Sequence, residues 1–384
     1  MIVTRLLLRN WRNFIEVDIP LHERTYLLGA NASGKSNLLD VFRFLRDVSK
    51  SQGGGIQKAM HDRGGIQKVR CLHARNDPEV RIEIHLSESL DTPSDWRYIL
   101  AFRNEARGEH RISVSSEEVF HNDDRLLLRP DKEDTEDPAR LTQTAMEQIQ
   151  ANLRFRSLAK HFEGITYLHL IPQLLKFGDR IGGQLLEGDP FGQGFLERVA
   201  REPKHIRDSR LKKLGESLSW VVPHFHELRF IKDRATGHPH LEARYVHHRP
   251  GAGWQREDQF SDGTLRLLAL LWILYEGDSL LLLEEPELSL NNSIVQQIPL
   301  LFQRVNRDRK KRPRQILTST HSEALLSNEG IDPRGVLLLE PEKEGTSIRT
   351  INEREAALLR DGFSVSEVLL PAIALETAKH LSAI

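Results

Sequence analysis

The chain has 384 residues, 39% of them apolar, with 54 lysines and arginines against 55 aspartates and glutamates, for a formal net charge of −1. That length predicts two domains or one large domain with an insertion, and the charge balance excludes a wholesale basic coat for a polyanion while leaving room for a local basic patch. One cysteine, Cys71, excludes an internal disulfide and a cysteine metal cage; with a start that is not signal-like, it predicts the cytoplasm. The most apolar stretch, "LRLLALLWILY" (265–275), is too short to span a bilayer and contains Arg266, so no membrane partner is expected.

In chain order, residues 2–8 and 15–28 read as two strands leading into a glycine loop. Residues 36–48 read as a helix, with Leu38, Leu39, Val41, Phe42 and Leu45 at roughly helical spacing. Trp11 reads as a buried strand-end aromatic. The glycines of "SQGGGIQKAMHDRGG" (51–65) predict a loop. "EVRIEIHLSES" alternates at Val80, Ile82, Ile84 and Leu86, which is a half-buried strand, and "WRYILAF", "HRISVSS" and "RLLLRP" read as its antiparallel neighbours. "DKEDTEDP" (131–138) reads as a solvated acidic linker whose Asp137-Pro138 opens the next helix. Residues 139–163 predict helix, 164–172 a buried strand, 194–220 helix, and 226–246 a hairpin around Gly237. From 264 onward helix and strand alternate: helix 264–275, strand 279–284, helix near 291–306, strands 315–319 and 335–339. Strands joined by helical crossovers predict a mostly parallel sheet.

Two stretches carry chemistry. Gly29-Ala30-Asn31-Ala32-Ser33-Gly34-Lys35-Ser36 fits G-x-x-x-x-G-K-[ST] at every fixed position, between an apolar strand and an amphipathic helix. The glycines let backbone N–H groups turn inward on phosphates, and the following helix points its positive end at them. Lys35 reaches the outer phosphates and the Ser36 hydroxyl ligates Mg²⁺. "SLLLLEEPE" (279–287) is a buried central strand ending in carboxylates, where ligands bind in parallel sheets. Glu284 would hold Mg²⁺ through water, Glu285 would polarise the attacking water, and Pro286 ends the strand.

"QFSDGTLRLLALLWIL" (259–274) resembles the signature of ABC ATPases, with Ser261 and Gly263 at its fixed small positions. "ILTSTHSEALL" (316–326) resembles the family's switch-histidine strand, with His321 in that place, and Ser289-Leu290-Asn291 falls at the dimer-contacting loop. The start, "LLLRNWRNFIEVDIPLHERTYLLGANASGKSNLLD", looks like the heads of RecF, SMC and OLD-type proteins. Arg12 falls where that group reaches the nucleotide phosphates with an Arg or Lys, and Asn37 continues the nucleotide-binding set. The resemblance implies an α/β P-loop NTPase of the ABC-ATPase head type: a mostly parallel core sheet with helices, an antiparallel β subdomain and a helical lobe. It divides the chain into an N-terminal ATPase segment (1–78), an antiparallel β segment (79–130), a helical lobe with a hairpin insertion (139–255), a signature and switch segment (256–340) and a strand and helix tail (341–384).

By the same resemblance, two copies sandwich two ATP–Mg²⁺ head to tail. Each site uses Gly29–Ser36, Glu284, Glu285 and His321 of one copy with Ser261 and Gly263 of the other. Gln173 is the candidate for the family's metal-side glutamine. Glu284 departs from the usual Asp, lengthening the arm by one methylene; Asp262, Thr264 and Asn291 are further departures. No long heptad coiled coil is present, and no acidic nuclease domain follows the last predicted strand. The expected function is an ATPase switch subunit controlling a separate effector, a nuclease in phage or foreign-DNA defence. The alternative is a RecF-like ATPase that clamps DNA itself. The basic run "RVNRDRKKRPR" (304–314) offers a phosphate contact to DNA or is an ordinary solvated connection. The histidines of 223–227, 238–240 and 247–248 read as surface residues, because alternate hairpin positions face opposite ways.

Overall fold

Alternating and continuous apolar strands sort into different sheets in this protein. The structure, a computed structural model, describes all residues except 76, 91, 106–110, 182–184, 247–252, 309–312, 372 and 374–384. The chain opens with β1 (Ile2–Trp11), β2 (Phe14–Pro20) and β3 (Arg24–Leu28). Residues 15–28 are therefore two strands rather than one. Pro20 has no N–H with which to extend a ladder, and the two pieces differ in pattern: β2 alternates, whereas Thr25–Leu28 of β3 are all buried.

The helix Lys35–Ser49 follows, and a short helix, Ile56–His61, forms inside the stretch read as loop. Then come β4 (Val80–Ser87), β5 (Trp96–Asn104), β6 (Ile112–His121) and β7 (Asp124–Arg129). With β2 and β1 they form a six-stranded antiparallel sheet in the order β2-β1-β4-β5-β6-β7.

Residues 139–163 are not one helix. Only Arg156–Glu163 is α-helical, with tighter single turns at Pro138–Thr142 and Ala151–Phe155. The reason is competition for backbone N–H groups. Buried Glu117 accepts from the N–H of Ala145 and Met146 at 2.6 and 3.1 Å, and Glu147 accepts from those of Thr144 and Ile56. The acidic stretch before it is a capped helix, Lys132–Glu136, anchored by buried Asp134 on Arg129 at 2.9 Å. Further on, Pro203 splits the predicted 194–220 helix into Phe195–Arg201 and Lys204–Val221.

The remaining strands are β8 (Thr166–Leu168), β9 (Phe225–Lys232), β10 (Pro239–Tyr245), β11 (Gln255–Arg256), β12 (Leu281–Glu284), β13 (Ile316–Ser319), β14 (Val336–Glu342) and β15 (Gly345–Thr350). β9 to β11 form a three-stranded sheet; the others join β3 in the order β15-β14-β3-β13-β12-β8. This second six-stranded sheet is parallel apart from β15.

Its two faces bury alternate residues of the same strands. Leu27, Leu282, Leu317 and Leu337 meet the helix Lys35–Ser49 and the antiparallel sheet. Tyr26, Leu281, Leu283 and Val336 meet the helices Asp262–Leu274 and Ile298–Asp308. Burying one such leucine contributes about 1.5–3 kcal/mol. The helix Asp262–Leu274 is buried all round from Thr264 onward, as an apolar helix without a polar face must be. The pairings Glu284↔Ser319 and Ser319↔Leu27 bring the carboxyl ends of β12, β13 and β3 level, which is where an α/β sheet places its ligand. No helix among the described residues is long and apolar enough to cross a membrane.

Candidate functional site

The turn after β3 has the backbone its sequence demands. Gly34 has φ 101° and Ala32 φ 63°; at Gly34 a Cβ would lie 2.2 Å from Asn13 Nδ2, and at Gly29 one would lie 2.7 Å from the Leu339 carbonyl. Gly34 is therefore required by its conformation beside Asn13, and Gly29 by its close approach to backbone. Lys35 folds back over the loop, donating to the carbonyls of Gly29 at 2.8 Å and Ala30 at 3.0 Å. Burial holds its ammonium below the ordinary lysine value, against the opposing pull of Glu285, Glu284 and Glu287. Asn31 is exposed at the tip, and the buried Ser33 hydroxyl has no hydrogen-bond partner among the described residues.

Asn13, which nothing in the sequence singled out, braces this turn. Its amide donates to the Ser33 carbonyl at 3.2 Å and the Thr346 hydroxyl at 2.8 Å, and its oxygen accepts from Asn37 at 2.8 Å. Asn37 thus supports the cradle through its side chain. Trp11 is fully buried beside Phe44 and donates to the Asn37 carbonyl at 2.9 Å. Arg12, at φ 50°, is committed to Asp40 with its guanidinium 2.5 Å away. Asp40 also takes Arg63 at 3.1 Å and Arg43 at 3.7 Å. These groups line a cleft of about 660 Å³ beside the helix Lys35–Ser49.

At the end of β12, one Glu284 oxygen accepts from the Ser36 hydroxyl and the other from the Tyr167 hydroxyl of β8. Burial first, then the bond to Glu284, raises the Tyr167 pKa. Glu285 has φ 45°, a conformation costing about 1–2 kcal/mol for a residue with a Cβ. It is held there from both sides: its N–H donates to Ser319 at 3.1 Å, and its carbonyl accepts from buried Arg266 at 2.8 Å. Its carboxylate lies 3.2 Å from His321 Nδ1. Glu287, 7% exposed, accepts from Thr320 at 2.7 Å and from the His321 N–H at 3.3 Å. Ser36, Glu284, Glu285 and His321 thus converge at one sheet end, with Tyr167, Arg266 and Glu287 as supports that sequence reasoning missed. No local pattern announces these supports, although Arg266 was visible as a charge inside an otherwise apolar helix.

Ser261 and Gly263 stand apart from this cluster. Ser261 caps the helix Asp262–Leu274, accepting from the Thr264 N–H at 3.1 Å. A Cβ on Gly263 would lie 2.8 Å from the Ser289 carbonyl, so this turn packs tightly on the segment after the glutamates. Asp262 pairs with Lys176 at 2.6 Å, and Asn291 caps the next short helix. Among the described residues no hydrogen bond joins Ser261 or Gly263 to residues 29–36. Gln173 is exposed in the first turn of the helix Pro172–Ile181. The bonds that reach Glu284 come from Ser36 and Tyr167. Arg309, Lys310, Lys311 and Arg312 of the basic run lie outside the described residues.

The donors present fit a magnesium nucleotide. A hydroxyl and a carboxylate converge as hard oxygen ligands, beside a glycine turn at a helix N-terminus with a buried, unpartnered Ser33 hydroxyl and a lysine.

Fold and cradle together define a P-loop ATPase of the ABC type, in the RecF/SMC group. The chain belongs to the family described as "AAA domain, putative AbiEii toxin, Type IV TA system", whose profile matches residues 24–327. A 91-residue stretch is 34% identical to the DNA replication and repair protein RecF of Agathobacter rectalis, covering 23% of this chain and 25% of that protein. A 90-residue stretch is 30% identical to RecF of Synechocystis, covering 23% of each. The chain thus spans about a quarter of the length of the curated relatives it matches. Among solved structures, the SMC head bound to the C-winged helix domain of ScpA aligns over 93% of this chain and all of that one, with TM-score 0.55 at 15% identity. The SMC head domain with a coiled coil and joint from Pyrococcus yayanosii aligns over 94% of this chain and 99% of that one, with TM-score 0.50 at 12% identity. At such identities the likeness is one of fold.

Proposed function

We propose that the chain binds ATP with Mg²⁺ and hydrolyses it in a head-to-tail dimer, and that closure of this dimer is a switch controlling a separate effector protein. The observation that carries the reading is the convergence of Ser36, Glu284, Glu285 and His321 on the glycine cradle. When bound, Mg²⁺ would neutralise charge on the outer phosphates. Ser36 and Glu284 would hold it, and Lys35 would leave the loop carbonyls for the phosphates. Glu285 orients the attacking water. His321, next to that carboxylate, sits where it can hold Glu285 in place and meet the γ-phosphate. Positioning and electrostatics carry most of such a reaction.

Glu285→Gln tests the assignment. It keeps the size of the side chain and removes the proton acceptor, so ATP binding persists while turnover falls by roughly 10² to 10⁴. Turnover at the wild-type rate would remove Glu285 from the role. The same variant, locked with ATP, serves to capture the effector. A nuclease or other protein held in stoichiometric amount supports the switch and a role in defence, to which the OLD-like phrases of the sequence point.

A second reading has support in the stretches shared with RecF, described as a DNA replication and repair protein. In it the closed dimer clamps DNA directly. Strong stimulation of turnover by DNA, with the protein alone, favours this reading. It weakens if neutralising Arg309, Lys310 and Lys311 leaves DNA affinity and its salt slope unchanged. The lone cysteine and the use of ATP support the cytoplasm as the site of action.

A further inference from the structure

Glu284 stands where the resemblance puts an aspartate, and the structure shows where the extra methylene goes. Tyr167 pairs with Leu282 across β8 and β12, and Glu284 lies two residues beyond Leu282. Side chains two apart on a strand share a face, so Tyr167 and Glu284 both point to the side of the sheet that carries the helix Lys35–Ser49. From there the Glu284 carboxylate spans two elements, taking Ser36 of that helix on one oxygen and Tyr167 of β8 on the other. The Tyr167 ring is 9% exposed and is itself fixed from above, with the Arg43 guanidinium 4.3 Å from its centroid. Arg43 in turn lies 3.7 Å from Asp40, the residue that holds Arg12.

We propose that Tyr167 is a positioning residue for the metal-side carboxylate, and that Glu284 and Tyr167 form a matched pair. The Tyr167 hydroxyl fixes one oxygen of Glu284 and presents the other beside Ser36; the longer arm of glutamate is what allows it to touch both. The inference rests on the reading of Ser36 and Glu284 as the Mg²⁺ side of the nucleotide site. Its physical basis is preorganisation. A glutamate has one more rotor than an aspartate, so an unsupported Glu284 would have to be ordered when the ion arrives. The bond from Tyr167 makes that ordering part of folding instead. Partners of this kind typically matter by 10- to 100-fold in metal affinity.

The test is a Mg²⁺ titration of binding, independent of turnover. A fluorescent ATP analogue reports binding to wild-type protein, Tyr167→Phe, Glu284→Asp, the double variant and Glu284→Gln, with a metal-free arm in chelator. Phenylalanine keeps the ring and its place under Arg43, so the protein stays folded, as its melting curve checks, and metal-free binding stays at the wild-type value. Half-saturation in Mg²⁺ rises by about 10-fold or more in Tyr167→Phe. In the Glu284→Asp background the same change has no effect, because the shorter arm does not reach Tyr167. An unchanged Mg²⁺ requirement in Tyr167→Phe, or an equal shift in both backgrounds, overturns the pairing alone. A wild-type Mg²⁺ requirement in Glu284→Gln overturns the metal-side reading, and the pairing with it.

Discussion

The helices Lys35–Ser49 and Asp262–Leu274 both start on a turn of small residues, and each aims its N-terminus at a phosphate in the proposed reaction. Their surroundings differ. Around the first, other parts of the chain close in: Asn13 on Ser33, Glu284 on Ser36, the Leu339 carbonyl against Gly29. Around the second, the polar groups are satisfied nearby, Ser261 by Thr264 and Asp262 by Lys176, and among the described residues no bond leads to the cradle. The cradle is assembled within one chain before ligand arrives. The turn at Ser261 is finished in itself, which is how a surface presented to a second copy would be built.

The largest effect follows from breaking each side of this contrast separately. Lys35→Ala removes the one cradle ammonium, and ATP affinity falls by at least about 100-fold, as expected for a lost charge-assisted contact. Ser261→Arg blocks the other turn and leaves ATP affinity unchanged, while ATP-driven dimerisation and turnover are lost. Mixing the two inactive proteins restores turnover, because one composite site then joins an intact cradle to an intact Ser261. A mixture that stays inactive, measured by phosphate release, would place both turns in the same copy's site.

A smaller effect sharpens the comparison. Asp262 brings a negative charge to a turn proposed to face phosphate, and Lys176 compensates for it at 2.6 Å. Lys176→Ala therefore weakens ATP-driven dimerisation by roughly 2- to 5-fold, the size of a half-exposed ion pair, without altering ATP binding by the monomer. Adding Asp262→Gly returns dimerisation to the wild-type level. If Lys176→Ala alone is silent in sedimentation, Asp262 does not face the partner's phosphates.

The contrast also explains what the sequence revealed. Gly29, Gly34, Lys35 and Ser36 were readable because backbone geometry and phosphate chemistry require those residue types at that spacing. Glu284 and Glu285 were readable because a continuous apolar strand ending in polar groups marks a parallel-sheet carboxyl end, whereas His321 came from the resemblance of 316–326 to a switch-histidine strand. Their supports were not. Tyr167 meets Glu284 across 117 residues and Asn13 meets Ser33 across 20, and no local pattern encodes such contacts. The fold followed the same rule. Strands announced by alternation formed, whereas the predicted helix 139–163 yielded to Glu117, a distant carboxylate that captured the N–H groups of Ala145 and Met146, and to Glu147, which turns back on the Thr144 N–H within the segment.

Glu147, and buried His161 on the helix Arg156–Glu163, make the cradle side sensitive to pH in two opposed ways, and this is the smallest effect expected. Burial pushes the Glu147 carboxyl up to about 7 and the His161 imidazole down to about 3. Glu147 binds its proton more tightly folded than unfolded, so its contribution to stability is complete below its ordinary value of 4.5 and is lost as pH rises through 7. His161 resists its proton when folded, so its contribution is complete above 6.5 and is lost as pH falls toward 3. Between pH 4.5 and 6.5 the two slopes oppose each other, and wild-type stability varies little from this source. Removing one group uncovers the other. Glu147→Gln leaves the His161 slope, so stability rises with pH across that window. His161→Phe leaves the Glu147 slope, so stability falls with pH there. Urea denaturation at pH 5, 5.5, 6 and 6.5 reads the slopes directly, whatever each substitution does to the absolute level. Parallel profiles for all three proteins would show that neither group titrates differently on folding.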